Sequence, residues 1–158
     1  MRAEHINPFF KSLSDTFATM LGCQTRRGPV TLAAPGSRPF PISAVIGLSG
    51  KAVGAVVINM SEELALKAAS AMLLTECAAV DADVIDAVGE LANVVAGQAK
   101  AQLEHFELSV SLPSVILGAG HEIRFPTDAP AVSAPFDTDF GPMRLEVGMA
   151  AVKAAIER

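Results

Sequence analysis

The chain has no tryptophan and no tyrosine, and only 18% of its 158 residues are charged. Clustered basic residues are also missing, because Arg26-Arg27 is the only adjacent basic pair and the formal net charge is −5. Proteins that bind nucleic acids commonly stack bases on aromatic rings and neutralise phosphates with several lysines or arginines. The composition therefore argues against a nucleic-acid partner.

Long apolar runs are missing as well. The longest candidate, residues 64–74, is interrupted by Lys67 and is shorter than the roughly 18 to 20 residues that span a bilayer. Residues 1–10 lack the apolar stretch of a signal peptide. Cys23 and Cys77 fit no metal-binding or redox spacing, and two such thiols are typical of a reducing compartment. We therefore predict a cytoplasmic protein that does not bind a membrane.

Apolar material is abundant, since 51% of the residues are hydrophobic. This is enough to build one core, and no repeat or long linker divides the chain. We predict a single domain over residues 1–158. The predicted order is a helix, strands, two helices and further strands. This order indicates an α+β fold with helices packed on a mostly antiparallel, or mixed, β-sheet.

Local patterns place these elements along the chain. Apolar residues recur three and four positions apart after Asn7-Pro8, which is typical of a helix with an asparagine cap and proline at its first position. Ser61, followed by two glutamates, predicts the start of a second helix. The predicted helices cover residues 8–21, 61–74 and 81–103, and the predicted strands cover 30–33, 42–48, 54–60, 109–117, 121–125, 132–136 and 143–149.

The predicted helix 81–103 has two distinct faces. At about 100° per residue, Asp86, Asn93 and Gly97 lie within about 60° of Glu90. The opposite face is continuously apolar, which leaves Glu90 and Asn93 pointing away from the core. The residues of that apolar face are Val84, Val88, Leu91, Ala92, Val95, Ala99 and Leu103.

A carboxylate and an amide on a polar helix face are most simply solvated, but three features favour a function here. Asn93 is a mediocre helix former with no cap to supply. Gly97 costs about 1 kcal/mol relative to alanine inside a helix, which is easier to explain if something approaches the backbone there. Ala87 and Val94 add apolar surface beside Glu90, and such a surface suits the docking of a protein. The predicted partner-binding residues are Asp86, Val94 and Gly97.

The segment Asp86-Ala87-Val88-Gly89-Glu90-Leu91-Ala92-Asn93 resembles the D/S-x-x-x-E-x-x-N signature of the CheC and CheX chemotaxis phosphatases. Further segments are similar to the CheX branch, so the resemblance covers nearly the whole chain. They are Asn7-Pro8-Phe9, Val45-Ile46-Gly47-Leu48-Ser49-Gly50 with Gly54, and Pro135-Phe136 with Phe140-Gly141. The family also has a proline well downstream of its asparagine, and Pro113 is the candidate for it.

The resemblance implies an activity and a division of labour. A protein of this kind hydrolyses the aspartyl phosphate of a phosphorylated CheY-type response regulator, in chemotaxis or a related two-component pathway. By resemblance, the catalytic residues are Asn93, which would orient the attacking water, and Glu90, which would form a salt bridge with a lysine of the regulator. The regulator supplies its own Mg²⁺, so this chain is expected to hold no metal and no cofactor. A homodimer is also implied.

The sequence contains a second E-x-x-N, from Glu4 to Asn7, but Pro8 predicts a non-helical geometry for Asn7. A single active copy favours the CheX-like form over the two-site CheC form. Two other functions stay open. One is a non-catalytic module of the same fold that binds a regulator, like the related motor-switch proteins, although such a module does not need the pair at Glu90 and Asn93. The other is an enzyme acting on a small molecule, for which the sequence displays no set of base and nucleophile.

Overall fold

In the computed structural model, which describes residues 3–126 and 130–152, three α-helices cover one face of an antiparallel sheet. The helices are α1 (Ala3–Leu21), α2 (Glu62–Leu73) and α3 (Ala82–Ala101), and a 3₁₀ turn follows at Glu104–Phe106. The strands are β1 (Thr25–Arg27), β2 (Thr31–Leu32), β3 (Ile42–Ser49), β4 (Ala52–Met60), β5 (Ser109–Val110), β6 (Ser114–Leu117), β7 (Ala131–Thr138) and β8 (Met143–Ala151). Within the described ranges, no helix combines the length and the apolar character needed to cross a membrane. The predicted α+β architecture is confirmed.

The strands follow the order β1-β7-β8-β4-β3-β5, with β2 also paired to β7 and β6 also paired to β3. The central pair, β4 and β8, is antiparallel from Ala52 to Met60. At Gly54 these two strands approach so closely that an added Cβ would lie 1.8 Å from the carbonyl oxygen of Gly148. Position 54 therefore accepts no side chain unless the backbone moves.

The core lies between the helices and the sheet. Large side chains from each layer are fully buried there, including Phe9 and Phe17 of α1, Leu91 of α3 and Leu145 of β8. Burying a side chain of this size contributes about 1.5–3 kcal/mol to folding. All seven residues predicted for the apolar face of the long helix belong to this core.

Polar contacts fix α3 against α1. The hydroxyl of Ser12 donates a hydrogen bond to the backbone carbonyl of Val95 at 2.7 Å, and the hydroxyl of Thr16 donates to Gln98 Oε1 at 3.1 Å. Ser12 and Thr16 are both buried, so these bonds are shielded from water. They hold α3 at one height and one rotation relative to α1.

The face of the sheet opposite the helices carries a buried ion pair. Arg38 Nε lies 2.8 Å from Glu146 Oε1, and the two side chains are only 4% and 3% exposed. Arg38 Nη2 also donates a hydrogen bond to the carbonyl of Ile123 at 2.8 Å. Burial raises the pKa of the Glu146 carboxyl above its ordinary value, and the charge of Arg38 opposes that rise. The pair thus ties the loop before β3 and the loop after β6 to the sheet.

Several local predictions are confirmed by their caps and pairings. Ser61 Oγ accepts a hydrogen bond from the backbone N–H of Leu64 at 3.1 Å, and Asp81 Oδ1 accepts one from Val84 at 3.0 Å. These side chains satisfy amides that the first helical turn leaves without partners. The two predicted hairpins are β3–β4 and β7–β8.

The predicted start of α1 is wrong. The helix begins at Ala3, so Asn7 lies inside it instead of capping it, and Pro8 is an interior residue. Pro8 forgoes one backbone hydrogen bond, but Ile6 in the added turn is 6% exposed and joins the core, which helps to offset that cost. The reason for setting aside the copy at Glu4 is therefore also wrong, because Asn7 is helical and exposed.

Two strand predictions also need correction. The predicted strand 109–117 is interrupted between β5 and β6, where Pro113 has no N–H to donate to a ladder. The predicted strand 121–125 reduces to a single bridge between Ser37 and Glu122. There the carbonyl of Ile123 accepts its hydrogen bond from a side chain, the guanidinium of Arg38, instead of from a strand.

Candidate active site

The solvent-facing side of α3 brings the predicted site residues together. Glu90 and Asp86 are exposed, and Asn93, Val94 and Gly97 are partly exposed. The N-cap, the buried apolar face and the contacts with α1 fix the rotation of this helix. Glu90 and Asn93 are therefore presented outward from a rigid element, one turn apart.

The side chains of Glu90 and Asn93 have no polar partner in the part of the chain that the structure describes. Among residues 3–126 and 130–152, neither makes a hydrogen bond or an ion pair within the chain. An unpaired carboxylate can attract a cation of a partner, and a free amide can both donate and accept hydrogen bonds. Both side chains are therefore available to bind groups of another molecule.

The neighbourhood of Glu90 differs from the prediction at one position. Ala87 is only 5% exposed, so it belongs to the core and not to the surface beside Glu90. At about 100° per residue, Ala87 lies at the border of the exposed side of the helix, and the packing of neighbouring elements decides its burial. Val94 keeps its predicted place at the surface, half-buried.

A loop between β5 and β6 borders the site, and the sequence patterns did not predict its exposed residue, Leu112. Pro113 packs on α3 at Gly89, where an added Cβ would lie 3.2 Å from Pro113 Cγ. Gly89 precedes Glu90, so the loop touches the helix directly beside the carboxylate. Leu112 itself is 88% exposed. The only sequence signal for this loop is a leucine followed by a proline in a segment that otherwise resembles a strand.

An open concavity of about 470 Å³ lies at the C-terminal half of α3. Its lining residues are Gly97, Lys100, Ala101, Glu104, Glu107, Leu108 and Val110. No heavy atom lies within 4 Å of where a Cβ of Gly97 would stand, apart from its neighbours and its own helix. Internal packing therefore does not explain this glycine.

The described residues offer no cluster of three or more histidine, cysteine, aspartate or glutamate side chains that could hold a metal ion. Asp86 and Glu90 are two acidic side chains one turn apart on the exposed side of α3. Both belong to the surface of α3 that also carries Asn93.

Comparison with known proteins identifies the family. The family model described as chemotaxis phosphatase CheX matches residues 42–137, which is more than half of the chain. The CheY-P phosphatase CheX of Thermotoga maritima is 30% identical over 127 residues, which cover 78% of this chain and 82% of that protein. The matched residues include all of α3 and the loop that borders it.

Solved structures share the fold over almost the entire length. The chemotaxis protein CheX from Desulfovibrio desulfuricans superposes with a TM-score of 0.84 at 30% identity, covering 93% of this chain and 99% of that one. The CheX–CheY–BeF₃–Mg²⁺ complex from Borrelia burgdorferi gives a TM-score of 0.80 at 24% identity, covering 94% of this chain and 99% of that one. The family match and these structures agree with the resemblance of residues 86–93 to the D/S-x-x-x-E-x-x-N signature. The chain belongs to the CheX family of chemotaxis phosphatases.

Proposed function

We propose that this protein hydrolyses the aspartyl phosphate of a CheY-type response regulator, and that Glu90 and Asn93 of α3 are its catalytic residues. The observation that carries the proposal is the pair of unengaged side chains, presented one turn apart on an outward helix face. The name of the Thermotoga maritima relative, a CheY-P phosphatase, supports the choice of substrate.

Asn93 acts on the water. An aspartyl phosphate is a reactive mixed anhydride, so its hydrolysis depends on placing a water in line with the bond between phosphorus and the carboxylate oxygen. The amide carbonyl of Asn93 accepts a hydrogen bond from that water, which turns a lone pair of the water toward phosphorus. Attack forms the new P–O bond, and the bond to the aspartate breaks to regenerate its carboxylate. Inorganic phosphate leaves with both protons of the water, one on the attacking oxygen and one transferred to another phosphoryl oxygen. An amide is not a base, so its contribution is positioning.

Glu90 fixes how the two proteins are aligned in the complex. Its carboxylate would pair with a lysine of the regulator, and a charge-assisted contact of this kind fixes orientation as well as adding attraction. Asp86, one turn earlier, adds a second negative charge to the same exposed surface. Val94 and Gly97 complete the surface that contacts the regulator.

The metal ion of the reaction belongs to the regulator in this proposal. The complex from Borrelia burgdorferi contains CheX, CheY, BeF₃ and Mg²⁺. Mg²⁺ on the phosphorylated partner neutralises charge that develops on the phosphoryl oxygens. We further propose a homodimer, and a cytoplasmic location in keeping with the free thiols of Cys23 and Cys77.

The test is phosphate release from a CheY-type regulator that has been phosphorylated with a small phosphodonor in the presence of Mg²⁺. Asn93→Ala should lower kcat by about two to four orders of magnitude, while the dissociation constant for the regulator carrying beryllofluoride stays unchanged. The matched control is Asn7→Ala, which removes the exposed asparagine of the other E-x-x-N and should leave the rate unchanged.

Two results would contradict the proposal. If Asn93→Ala releases phosphate as fast as the wild-type protein while the regulator still binds, the protein is a non-catalytic module that docks a regulator. If Asn7→Ala is the slow variant, the active copy lies on α1 instead of α3.

A further inference from the structure

We propose that Leu112 is an apolar anchor that binds the phosphorylated regulator beside its phosphoryl group, and that it determines affinity without taking part in the chemistry. This rests on the proposed function, because the partner it names is the substrate of the site on α3. Leu112 is 88% exposed on the loop between β5 and β6.

The backbone around Leu112 is held in one conformation although its side chain is free. The hydroxyl of Ser111 accepts a hydrogen bond from the backbone N–H of Gly47 at 2.8 Å and donates one to the carbonyl of Leu112 at 2.8 Å. The backbone N–H of Ser111 donates to the carbonyl of Gly47 at 2.9 Å. Pro113 fixes its own φ and restricts the residue before it to extended conformations. The leucine is therefore displayed on an ordered loop.

The same loop is fixed relative to the catalytic helix. A Cβ at Gly89 would lie 3.2 Å from Pro113 Cγ and 3.7 Å from Val115 Cγ2, so the loop and the start of β6 rest directly on α3. Leu112 directly precedes Pro113 on the loop, and Glu90 directly follows Gly89 on the helix. The loop that carries Leu112 and the helix that carries Glu90 are thus in direct contact.

Exposure alone would not single out this leucine, because isolated exposed apolar side chains are common on proteins. Leu32, for example, is 77% exposed on β2, which pairs with β7 near the other edge of the sheet. What distinguishes Leu112 is a hydrogen-bonded backbone on a loop that packs on α3 at Gly89, the residue before Glu90. A partner that brings its phosphoryl group to Asn93 covers the surface next to it. The occupant of Leu112 is therefore that partner.

The chemistry of the contact complements that of Glu90. A charge pair steers association and fixes register, whereas burial of an apolar side chain mainly slows dissociation. The regulator should accordingly have an apolar patch that borders its phosphorylated aspartate. Because the side chain of leucine can neither orient water nor transfer a proton, its loss should act on KM and leave kcat intact.

The experiment compares Leu112→Ala with Leu32→Ala in steady-state phosphate release and in binding to the same regulator carrying beryllofluoride. Leu112→Ala should raise KM and the dissociation constant about 10- to 100-fold, with kcat unchanged, and Leu112→Met should restore most of the affinity. Leu32→Ala should match the wild-type protein. Both alanine variants should unfold at the wild-type temperature, since both side chains are exposed.

Three outcomes would overturn the anchor. An unchanged KM for Leu112→Ala would show that the regulator does not cover the leucine. A lower kcat at unchanged KM would mean that the loop acts through the position of α3. A changed oligomeric state, read by light scattering, with wild-type KM would assign Leu112 to an interface between copies of the chain. Failure of the proposed function is distinct, because it appears as full activity of Asn93→Ala, or as a wild-type protein that neither binds nor dephosphorylates a regulator.

Discussion

The roles proposed for Glu90 and Asn93 differ although the two residues lie one turn apart on the same helix. If Glu90 pairs with a lysine of the regulator, Glu90→Ala should weaken docking as well as turnover. Higher salt should weaken the wild-type complex more than the Glu90→Ala complex, because screening acts on a charge pair that the variant lacks. Binding to the regulator carrying beryllofluoride, measured at two salt concentrations, checks this. Equal salt dependence would remove the ion pair from the mechanism.

Gly97 offers a test in which stability and function change in opposite directions. With open space around its Cα, Gly97→Ala should raise the free energy of unfolding by about 1 kcal/mol. The same methyl group would project into the concavity beside the site, so KM for the regulator should rise. Thermal unfolding and phosphate release measure the two effects. A variant that is more stable and docks equally well would show that no partner approaches the backbone there.

The outward positions of Glu90 and Asn93 could be predicted from the sequence because the helical pattern around them is periodic. One turn of helix sets their spacing, and a continuous apolar face fixes which way they point. Leu112 has no such signal, since its exposure depends on how Ser111 and Pro113 fasten the loop to β3 and α3. These contacts are long-range and leave no repeat in the chain.

At the scale of elements, the loops on the outer face of the sheet depend on one buried ion pair. Arg38→Met removes the ion-pair partner of the buried Glu146, and breaking such a pair typically costs about 3–5 kcal/mol. The surface variant Arg124→Met should stay within about 0.5 kcal/mol of the wild-type protein. Urea unfolding of both variants at several pH values measures these differences.

The pH dependence of Arg38→Met follows from Glu146. Burial raises the pKa of this carboxyl in the folded protein above the ordinary value of 4.5, and loss of Arg38 removes the more effective of the two charges, Arg38 and Arg144, that oppose the rise. The folded variant therefore keeps a proton that the unfolded chain releases, so its stability falls as pH rises through the raised pKa and recovers as pH falls toward 4.5. The loss in free energy of unfolding, relative to the wild-type protein, should be larger at high pH. A deficit that is constant with pH would mean that Glu146 stays ionised.

Hairpins and capped helices could be predicted as elements because turn and cap chemistry is local. The start of α1 could not, since Pro8 favours a helix start on local grounds and the burial of Ile6 extends the helix past it. The segment 121–125 has strand-like composition, yet Arg38 takes the carbonyl of Ile123 and prevents a ladder. In both places a distant contact outweighs the local preference.

For the whole molecule, the division of labour predicts that the isolated chain needs no metal. A chelator should leave its unfolding temperature unchanged, while it stops turnover in the mixture with the phosphorylated regulator, where Mg²⁺ belongs to the partner. Metal analysis of the purified protein together with a melting curve checks this. Stoichiometric zinc or iron bound near Glu90 would instead favour a metalloenzyme.

We predict that the protein is a homodimer in solution. Light scattering should give about twice the 16.4 kDa of the chain, because the family resemblance implies a homodimer. A dimer would present two copies of α3, each complete on its own. A mass equal to one chain at working concentrations would contradict this prediction without affecting the roles of Glu90 and Asn93.

Gly54 has a consequence for anyone who maps this protein by saturating mutagenesis. Because its strand lies against Gly148, every replacement there should eliminate abundance and phosphate release alike. Asn93 should look just as intolerant when scored by phosphate release and nearly neutral when scored by abundance. A screen for phosphate release alone would therefore rank Gly54 and Asn93 equally. Only the comparison with a screen for abundance distinguishes a residue that the fold requires from one that the reaction requires.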